Sequence, residues 1–502
     1  MEKRSESLTQ IHADDKLRCM QVGAARDTSN GKPNKWFVFG IVAVAVFMST
    51  LDSSIVNIAL PSIMRDFQIP LVLVEWVSMM YLLTVSSLLL LCGRLSDIYG
   101  RRLVYCGGFI VFCLGSFLCA LSAGPVPLII FRAIQGVGAA MLMACSPALI
   151  VDAFPEKERG GALGMVGMAV AAGLVSGPAL GGLLLQYFPW QSIFYINIPI
   201  GLFITMVAWF VLKRVPQTLV NEPLDWPGSI FLALTFGSFI AGLTHIHDWG
   251  VHSSLFRLVC LLFAVSMGTL VWVEKKSSHP IIHASLLKIR LFNMSILAAI
   301  ILFMGLFFIT FLMPFFMVNP MAFPMAKVGG IMMTPFVFQF FIAPVAGFLS
   351  DRMESRILCT IGMAILACAL FALSQLRPNA TVIDIGWRLA LAGVGVAIFI
   401  SPNSAAAMSA VPVQYRGVAS GSVATARNLG MVMGIAAAGL LFNSTFSAAN
   451  GGQDLKIYLP VLETAFMAAF QKTMLFGAVV VSMGIAVAYL RGRDALRTSA
   501  GK

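Results

Sequence analysis

The sequence predicts an all-α polytopic membrane protein with fourteen spans, arranged as two six-helix bundles with two additional helices between them. Three observations lead to this fold class. The 502-residue chain is 59% hydrophobic and 11% charged, far from the composition of a soluble domain. Fourteen apolar runs are long enough to cross a bilayer as helices. Two short segments of the first half also recur in the second half.

Polar segments begin and end the chain. Residues 1–35 are mixed in charge and lack the apolar core of a signal peptide, so they predict a cytosolic tail. Residues 491–502 predict a second, shorter cytosolic tail. Between the tails, the apolar runs predict spans 1 to 14 near residues 36–60, 74–95, 103–123, 126–150, 160–186, 190–212, 226–245, 254–273, 293–318, 327–349, 356–375, 385–405, 416–443 and 471–490.

The basic residues of the loops fix the expected orientation. With a cytosolic N-terminus, fourteen Lys or Arg fall in inner loops: Arg94, Arg101, Arg102, Lys157, Arg159, Lys213, Arg214, Lys275, Lys276, Lys288, Arg290, Arg352, Arg356 and Arg416. Five fall in outer loops: Arg65, Lys327, Arg377, Lys456 and Lys472. Because Lys and Arg gather on the cytosolic side of membrane proteins, both termini are expected inside the cell. The net charge of +12 therefore indicates membrane topology, and a nucleic-acid partner is not expected.

Internal repetition defines the domain organisation. "GRLSDIYGRRL" (93–103) recurs as "GFLSDRMESRI" (347–357), and "ERGGALG" (158–164) recurs as "YRGVASG" (415–421). The loop between spans 2 and 3 thus returns as the loop between spans 10 and 11, so the repeat is six spans plus two. The expected domains are an N-terminal bundle at 36–212, an inserted pair at 226–273 and a C-terminal bundle at 293–490.

Four segments together carry a family resemblance. They are "LDSSIVNIALP" in span 1, "GRLSDIYGRR" after span 2, "RAIQGVGAA" in span 4, and "GPALGG" with "WQSIFYINIPIG" around spans 5 and 6. They resemble the major facilitator superfamily, specifically its fourteen-span drug:proton antiporters, over nearly all of residues 36–490. Ile98 and Ser54 depart from the family pattern, as do Glu354 and Ser355 in the second loop copy.

The resemblance implies a major facilitator fold and a transporter, not an enzyme. It further implies a proton-coupled antiporter that exports lipophilic, cationic or amphiphilic drugs or metabolites, energised by a proton gradient without a cofactor. Small lipophilic molecules, protons and the bilayer are the expected partners, and a bacterial inner membrane is the expected location. The alternatives are a major facilitator exporter or importer of a specific metabolite with different coupling, or a transport-dead membrane sensor.

Other function classes lack their sequence marks. A primary pump would need a phosphate loop of the form G-x-x-x-x-G-K-[ST], and the chain has none. A membrane enzyme or sensor would need a nucleophile with its base or an appended signalling domain, and neither is visible. His245, His247, Asp248 and His252 cluster near span 7, but their spacing fits no firm ligand pattern, so no metal site is expected.

Small residues run along span 5. Glycines that recur on one side of a membrane helix let a neighbouring helix approach closely, and the proline adds a kink. Packing alone explains many such helices, but the spacing here matches the antiporter signature of the family. The residues of this motif are Gly164, Gly173, Gly177, Pro178, Gly181 and Gly182.

The repeated loop is a candidate conformational latch. Gly93 begins it and Gly100 allows a tight turn. Asp97 is expected at a helix N-terminus of the opposite bundle, and Arg101 or Arg102 is expected to pair with Asp152. In the second half of the chain, Asp351 is expected to belong to a weaker counterpart of this latch. The plain alternative is a solvated basic loop.

Charged residues within spans are functional candidates, because a charge at the centre of a span is costly. Asp52 is the acid expected clearly inside a span, and Arg132 is a base of span 4. Helix rise places both about 9 to 12 Å below the outer surface, so they share a layer. In the resembled family this acid and this arginine handle protons and substrate. The other span bases are Arg257, Arg388 and Arg427, and Arg427 is expected to bond backbone carbonyls.

Spans 9 and 10 are rich in phenylalanine and methionine. Most of these side chains are expected to pack within the bundle or face lipid. Some are candidates for lining a cavity that accepts lipophilic compounds. The residues are Phe303, Phe307, Phe308, Phe311, Phe315, Phe316, Phe336, Phe338, Phe340 and Phe341.

Overall fold

A computed structural model of the chain describes residues 34–155, 158–214, 226–250, 253–276, 286–412, 416–451 and 455–492. The described chain is helical, with short connections between helices, which confirms the predicted all-α class. Spans 1 to 5 are Lys35–Phe67, Leu71–Tyr99, Arg101–Ala120, Pro125–Ala153 and Arg159–Tyr187. Spans 7, 8 and 9 are Trp226–Trp249, Ser254–Lys276 and Arg290–Val318. Spans 11 to 14 are Ser355–Ser374, Val382–Ser409, Arg416–Ala449 and Glu463–Leu490.

Spans 6 and 10 are each interrupted. Span 6 consists of Ser192–Tyr195 followed by Asn197–Val211, and span 10 consists of Met325–Met332 followed by Thr334–Arg352. Within the described residues, thirteen stretches are long and apolar enough to cross a membrane. Span 7 is the exception, since its apolar part is limited to Ile230–Ile246.

Local sequence explains where several spans begin and end. Gly100 separates spans 2 and 3 with φ +93°, a backbone conformation that glycine adopts readily and other residues rarely do. At the start of span 12, the Thr381 hydroxyl accepts a hydrogen bond from the Asp384 amide, and the Asp384 carboxylate accepts one from the Thr381 amide. These reciprocal bonds satisfy amide groups that the first helical turn leaves open.

The packing of the spans repeats along the chain. Span 1 packs on span 5, and spans 2 and 3 both pack on span 4. In the same way span 9 packs on span 13, and spans 10 and 11 both pack on span 12. Each partner is shifted by eight spans, as the sequence repeat predicts. The two sets of six are called here the N-terminal half and the C-terminal half.

The two halves meet tightly at one end. We call the end that holds Lys35 and Leu490 the terminal side, and the other end the far side. Near the far side, a Cβ at Gly182 of span 5 would lie 2.8 Å from Gly329 Cα of span 10. The Ala326 amide also donates to Gln186 Oε1 at 3.5 Å across the halves. The backbones of spans 5 and 10 therefore touch directly at the far side.

The inserted spans 7 and 8 occupy different environments. Span 7 packs on span 2 of the N-terminal half and on span 13 of the C-terminal half. Its His245 ring stacks on Trp76 of span 2, with ring centroids 6.0 Å apart. Span 8 packs on span 7, and little of its apolar stretch is buried inside the protein. Span 7 thus lies along a junction between the halves, and span 8 presents its surface to lipid.

Candidate functional site

A central cavity of about 920 Å³ lies between the halves. Spans 1, 2, 4 and 5 line it from the N-terminal half, and spans 9, 10, 12 and 13 line it from the other. These two sets differ by eight spans, so the cavity follows the internal repeat. Its lining reaches Gly161, Gly347 and Ser420, close to the terminal-side ends of their helices. The cavity therefore extends toward the terminal side, while the Gly182–Gly329 contact closes the far side.

The lining is mostly apolar. Aromatic and methionine side chains form much of it, and some hydroxyl and amide groups are placed among them. The apolar members include Met143, Met165, Met168, Phe303, Phe340, Phe399 and Met431, and the polar members include Ser53, Gln339, Ser401, Ser404 and Asn428. Such a lining suits a lipophilic molecule with a few polar groups. Of the phenylalanines predicted as candidates, Phe303 and Phe340 line the cavity.

One cation lines the cavity. Arg427 of span 13 is among the lining residues, and the described lining contains no Asp or Glu. Its guanidinium makes no ion pair with a described residue, and its buried Nε has no hydrogen-bond partner among them. The expected bonds from Arg427 to backbone carbonyls are therefore not formed in the described structure. Arg427 presents an uncompensated positive charge to the cavity.

Asp52 and Arg132 form an ion pair inside the N-terminal half. Arg132 Nη1 lies 2.5 Å from Asp52 Oδ2, and both residues are fully buried. Arg132 Nε also donates to the Val77 carbonyl at 3.0 Å. Helix rise predicts one shared layer for the two residues, and the structure puts them in direct contact. Neither residue is part of the cavity lining.

Two amide side chains complete the network. Gln135 Nε2 donates to Asp52 Oδ1 at 2.8 Å, and Gln135 Oε1 accepts from Arg132 at 2.7 Å. Asn197 of span 6 donates to Asp52 Oδ1 at 3.2 Å and to Ser116 Oγ at 3.1 Å. Neither amide was predicted from the sequence. Gln135 lies three residues after Arg132, on the same helix face, so helical periodicity would have indicated it.

Tyr81 connects this network to the cavity. Its ring lies over the Arg132 guanidinium, with 4.3 Å from Cζ to the ring centroid, and the residue also lines the cavity. Its hydroxyl donates to the Ser49 carbonyl at 3.0 Å, which fixes the ring. The tyrosine ring therefore separates the ion pair from the cavity.

The glycines of span 5 lie in three different environments. A Cβ at Gly173 would collide with Thr50, one at Gly177 would lie 2.5 Å from Ser54 Oγ, and one at Gly181 would lie 2.8 Å from Ile55 Cγ1. These three glycines pack span 5 on span 1, within one half. Gly164 lines the cavity, and Gly182 meets span 10 across the halves. Pro178 lies inside the same helix.

The loop after span 2 brings three predicted residues together. Arg101 pairs with Asp152 of span 4 and donates to Asp97 Oδ1 at 3.3 Å. Of the two candidate partners of Asp152, Arg101 makes the pair, while the Arg102 guanidinium lies over the Trp209 ring, 3.9 Å from its centroid. The Asp97 side chain is 43% exposed.

The rest of the predicted latch is less defined. Gly93 has open space around it, and Gly100 forms the turn. The side chain of Asp351 lies outside the described residues. Its neighbour Arg356 approaches Glu354 at 3.9 Å and lies over Tyr489.

Glu75 corrects one expectation. Asp52 was predicted to be the acid clearly inside a span, but Glu75 lies within span 2 and is also fully buried. It faces span 13, where a Cβ at Gly439 would collide with its carboxylate. The predicted start of span 2, near residue 74, put Glu75 at the end of the span.

The expectation that the chain has no metal site stays a prediction. Among the described residues, no group of three or more His, Cys, Asp or Glu side chains is arranged to hold a metal ion. The side chains of His247 and Asp248, and all of His252, lie outside the described residues.

The chain matches a known protein family and is similar to named transporters. The sequence model of the Major Facilitator Superfamily matches residues 42–435. The riboflavin transporter RibZ of Clostridioides difficile (strain 630) is 32% identical, over 82% of this chain and 88% of its own length. The multidrug resistance protein Stp of Mycobacterium tuberculosis (strain CDC 1551 / Oshkosh) is 31% identical, over 81% of this chain and 75% of its own.

A solved structure shows the same fold at low identity. It is the crystal structure of a bacterial homologue of the human lysosomal transporter Spinster, in an inward-facing and occupied conformation. The TM-score is 0.67 at 16% identity, over 93% of this chain and 99% of that chain.

Proposed function

The chain belongs to the major facilitator superfamily and is a multi-pass membrane transporter, and from this premise we propose that it is a proton-coupled antiporter exporting lipophilic, amphiphilic compounds. The observation that carries the proposal is the pairing of a large apolar cavity with a buried carboxylate network beside it. The first can hold the substrate and the second can hold the proton. The relative named as a multidrug resistance protein supports export of drug-like compounds.

Alternating access follows from the two ends of the molecule. The structure has its cavity extended toward the terminal side and its far side closed by spans 5 and 10. Rocking of the halves would open the far side and close the terminal side. We place the terminal side in the cytosol of a bacterial cell, with the protein in the inner membrane, since the loop charges favour that orientation. Substrate then enters the cavity from the cytosol and leaves outside.

The Asp52 network is the proposed proton site. Its carboxylate accepts hydrogen bonds from the Arg132 guanidinium and from the amides of Gln135 and Asn197. Protonation of Asp52 removes the negative charge that holds Arg132, so it weakens a contact between spans 1 and 4. A proton that enters from outside can in this way change how the helices of the N-terminal half pack. That change couples proton entry to the step in which the cavity closes on one side of the membrane and opens on the other.

Two regions are proposed to support the cycle. The loop residues Asp97, Arg101 and Asp152 act as a latch on the terminal side. The glycine motif of span 5 keeps spans 1 and 5 in contact as the halves move. The domain boundaries 36–212, 226–273 and 293–490 stay a prediction from the sequence repeat.

The proposal is tested with purified protein in lipid vesicles. An imposed pH gradient, without nucleotide, should drive a fluorescent lipophilic compound against its own concentration gradient. Collapse of the gradient with a protonophore should stop the movement. Transport that persists unchanged after the gradient is collapsed would contradict proton coupling.

A transporter of one specific metabolite with different coupling is the second candidate. The relative named as a riboflavin transporter favours it. The two candidates differ in substrate range. If riboflavin competes with no lipophilic compound and is itself moved without a pH gradient, the metabolite transporter replaces the antiporter. If several unrelated lipophilic compounds compete for one site, the multidrug reading stands.

A further inference from the structure

We infer that the central cavity recognises amphiphilic substrates that carry an anionic group, and that Arg427 binds that group. This inference rests on the proposed function in one respect only, because it takes the cavity as the substrate site. It adds the charge of the substrate. The starting observation is that a cavity of about 920 Å³ has one described charged side chain in its lining, and that side chain is positive.

Three other arginines have hydrogen-bond partners among the described residues. Arg132 pairs with Asp52, and Arg388 donates to the carbonyls of Ala372 and Asp384. Arg491, at the end of span 14, donates to Ser355 and Asn403. Arg427 differs, because no nitrogen of its guanidinium donates a hydrogen bond to a described residue and no described carboxylate pairs with it. An unpaired charge at membrane depth is costly, so an anionic ligand would relieve this cost.

The position of Arg427 suits a substrate head group. It lies eleven residues after Arg416, about 16 Å along span 13, which places it deep in the membrane. The hydroxyl groups of Ser401 and Ser404 and the amide of Asn428 line the same cavity and can donate further hydrogen bonds. A carboxylate, sulfonate or phosphate accepts several such bonds, and guanidinium binds these groups in a bidentate manner.

The apolar lining can hold the rest of such a molecule. Phe303, Phe399 and Met431 line the cavity along with Arg427, and the methionines of span 5 lie across from them. An anion with an aromatic body would therefore bury its rings while its charge meets the guanidinium. The ligand class is a lipophilic organic anion.

A cationic substrate finds less support in the cavity. The acid that was expected to meet a cation, Asp52, already accepts hydrogen bonds from Arg132, Gln135 and Asn197. Tyr81 also separates it from the cavity. A cation in the cavity would face Arg427 with no described carboxylate in the lining to offset the repulsion.

Three fluorescent probes with one aromatic body test the inference on purified protein in detergent. Dansylglycine carries a carboxylate, dansylamide is neutral and dansylcadaverine is a cation. Wild type should bind dansylglycine about tenfold or more tightly than dansylamide, because the carboxylate gains charge-assisted hydrogen bonds. Dansylcadaverine should bind more weakly than either. Equal affinity for all three probes, or a preference for the cation, would overturn the inference without any variant.

Variants then locate the charge. Arg427→Gln should lose the preference for dansylglycine but keep its affinity for dansylamide, which shows that the cavity is intact. Arg427→Lys should keep part of the preference, because the positive charge remains and the bidentate geometry is lost. The matched control is Arg257→Gln, which removes a positive charge from exposed span 8 and should change nothing. If Arg427→Gln keeps the full preference, Arg427 is not the anion site.

Transport separates this inference from the proposed function. If wild type prefers dansylglycine in binding but moves none of the probes under a pH gradient, the antiporter proposal fails and the anion site stands. If the pH gradient drives dansylcadaverine and not dansylglycine, the antiporter proposal stands and the anion site fails.

Discussion

The ring of Tyr81 covers the guanidinium of Arg132 with 4.3 Å between Cζ and the ring centroid, and Tyr81 is also one of the residues that line the cavity. This single ring therefore separates the substrate space from the ion pair of Asp52 and Arg132. In the proposed cycle, substrate and proton are therefore held in neighbouring compartments and not in one shared pocket. Coupling between them must pass through movements of helices or of this ring.

Asp52→Asn should abolish transport driven by a pH gradient. The amide cannot take up and release a proton, but it can still accept hydrogen bonds from Gln135 and Asn197. Exchange of labelled for unlabelled substrate across vesicles without a gradient should persist, because exchange needs no net proton movement. The matched control is Asp66→Asn, on the exposed end of span 1, where the side chain accepts from Trp190. Gradient-driven transport at wild-type rates in Asp52→Asn would remove Asp52 from the proton path.

The same variant should lose stability, and a second substitution should restore it. Asp52→Asn leaves the buried Arg132 charge unpaired, which costs about 3 to 5 kcal/mol. Asp52→Asn with Arg132→Gln removes both charges and should recover part of the thermal stability, measured by unfolding in detergent. The double variant should still be uncoupled. Recovery of coupling in the double variant would show that the loss in Asp52→Asn came from poor folding.

Replacement of Tyr81 should expose the ion pair to the cavity. Tyr81→Ala opens a path for water to Arg132 and Asp52, so vesicles should leak protons without substrate. Tyr81→Phe keeps the ring over Arg132 and loses only the hydrogen bond to the Ser49 carbonyl. Vesicles that contain Tyr81→Phe should therefore not leak protons. A pH-sensitive dye inside the vesicles measures the leak, and equal leaks in both variants would contradict a barrier made by the ring.

Gly182→Leu should favour the state that is open on the far side. The leucine side chain cannot fit against Gly329, so spans 5 and 10 must separate. Spin labels at Gln186 and Lys327, in a background without native cysteines, should move apart by several ångströms. Gly330→Leu is the matched control, since a Cβ there meets open space. An unchanged distance in Gly182→Leu would show that the far side does not close through this contact.

Gly100→Ala should destabilise the turn between spans 2 and 3. Its φ of +93° strains any residue with a Cβ, at a cost of about 1 to 3 kcal/mol. Gly93→Ala, in the same loop motif, should be tolerated because its surroundings are open. Thermal unfolding of the two variants in the same detergent gives the comparison. Equal melting temperatures would mean that the loop relaxes around the alanine.

Asp97→Asn should shift the balance between the two access states and leave the protein folded. The substitution weakens the contact with Arg101, which then relies on Asp152 alone. Labelling of a cysteine introduced at Ser420, in the cavity near the terminal side, reports the shift. Normal transport with unchanged labelling would assign Asp97 to an ordinary solvated loop.

Sequence reasoning reached the Asp52–Arg132 pair because helix rise alone fixes depth in a membrane. It did not reach Gln135 and Asn197, since which faces of three helices meet depends on tertiary packing. It left open whether Arg101 or Arg102 meets Asp152, because adjacent residues on a helix point in different directions. The charge expected of the substrate also rested on Asp52, and only the structure shows that Tyr81 and Arg132 separate it from the cavity.

The position of span 7 has a mechanical consequence. This helix packs on span 2 and on span 13, so it bridges the two halves along one junction. Rotation of the halves must either bend span 7 or slide it over one of its neighbours. Span 7 resists this motion only at the junction of spans 2 and 13. The two halves should therefore separate less along spans 2 and 13 than along spans 5 and 10. The inserted helix would then set the direction in which the protein deforms.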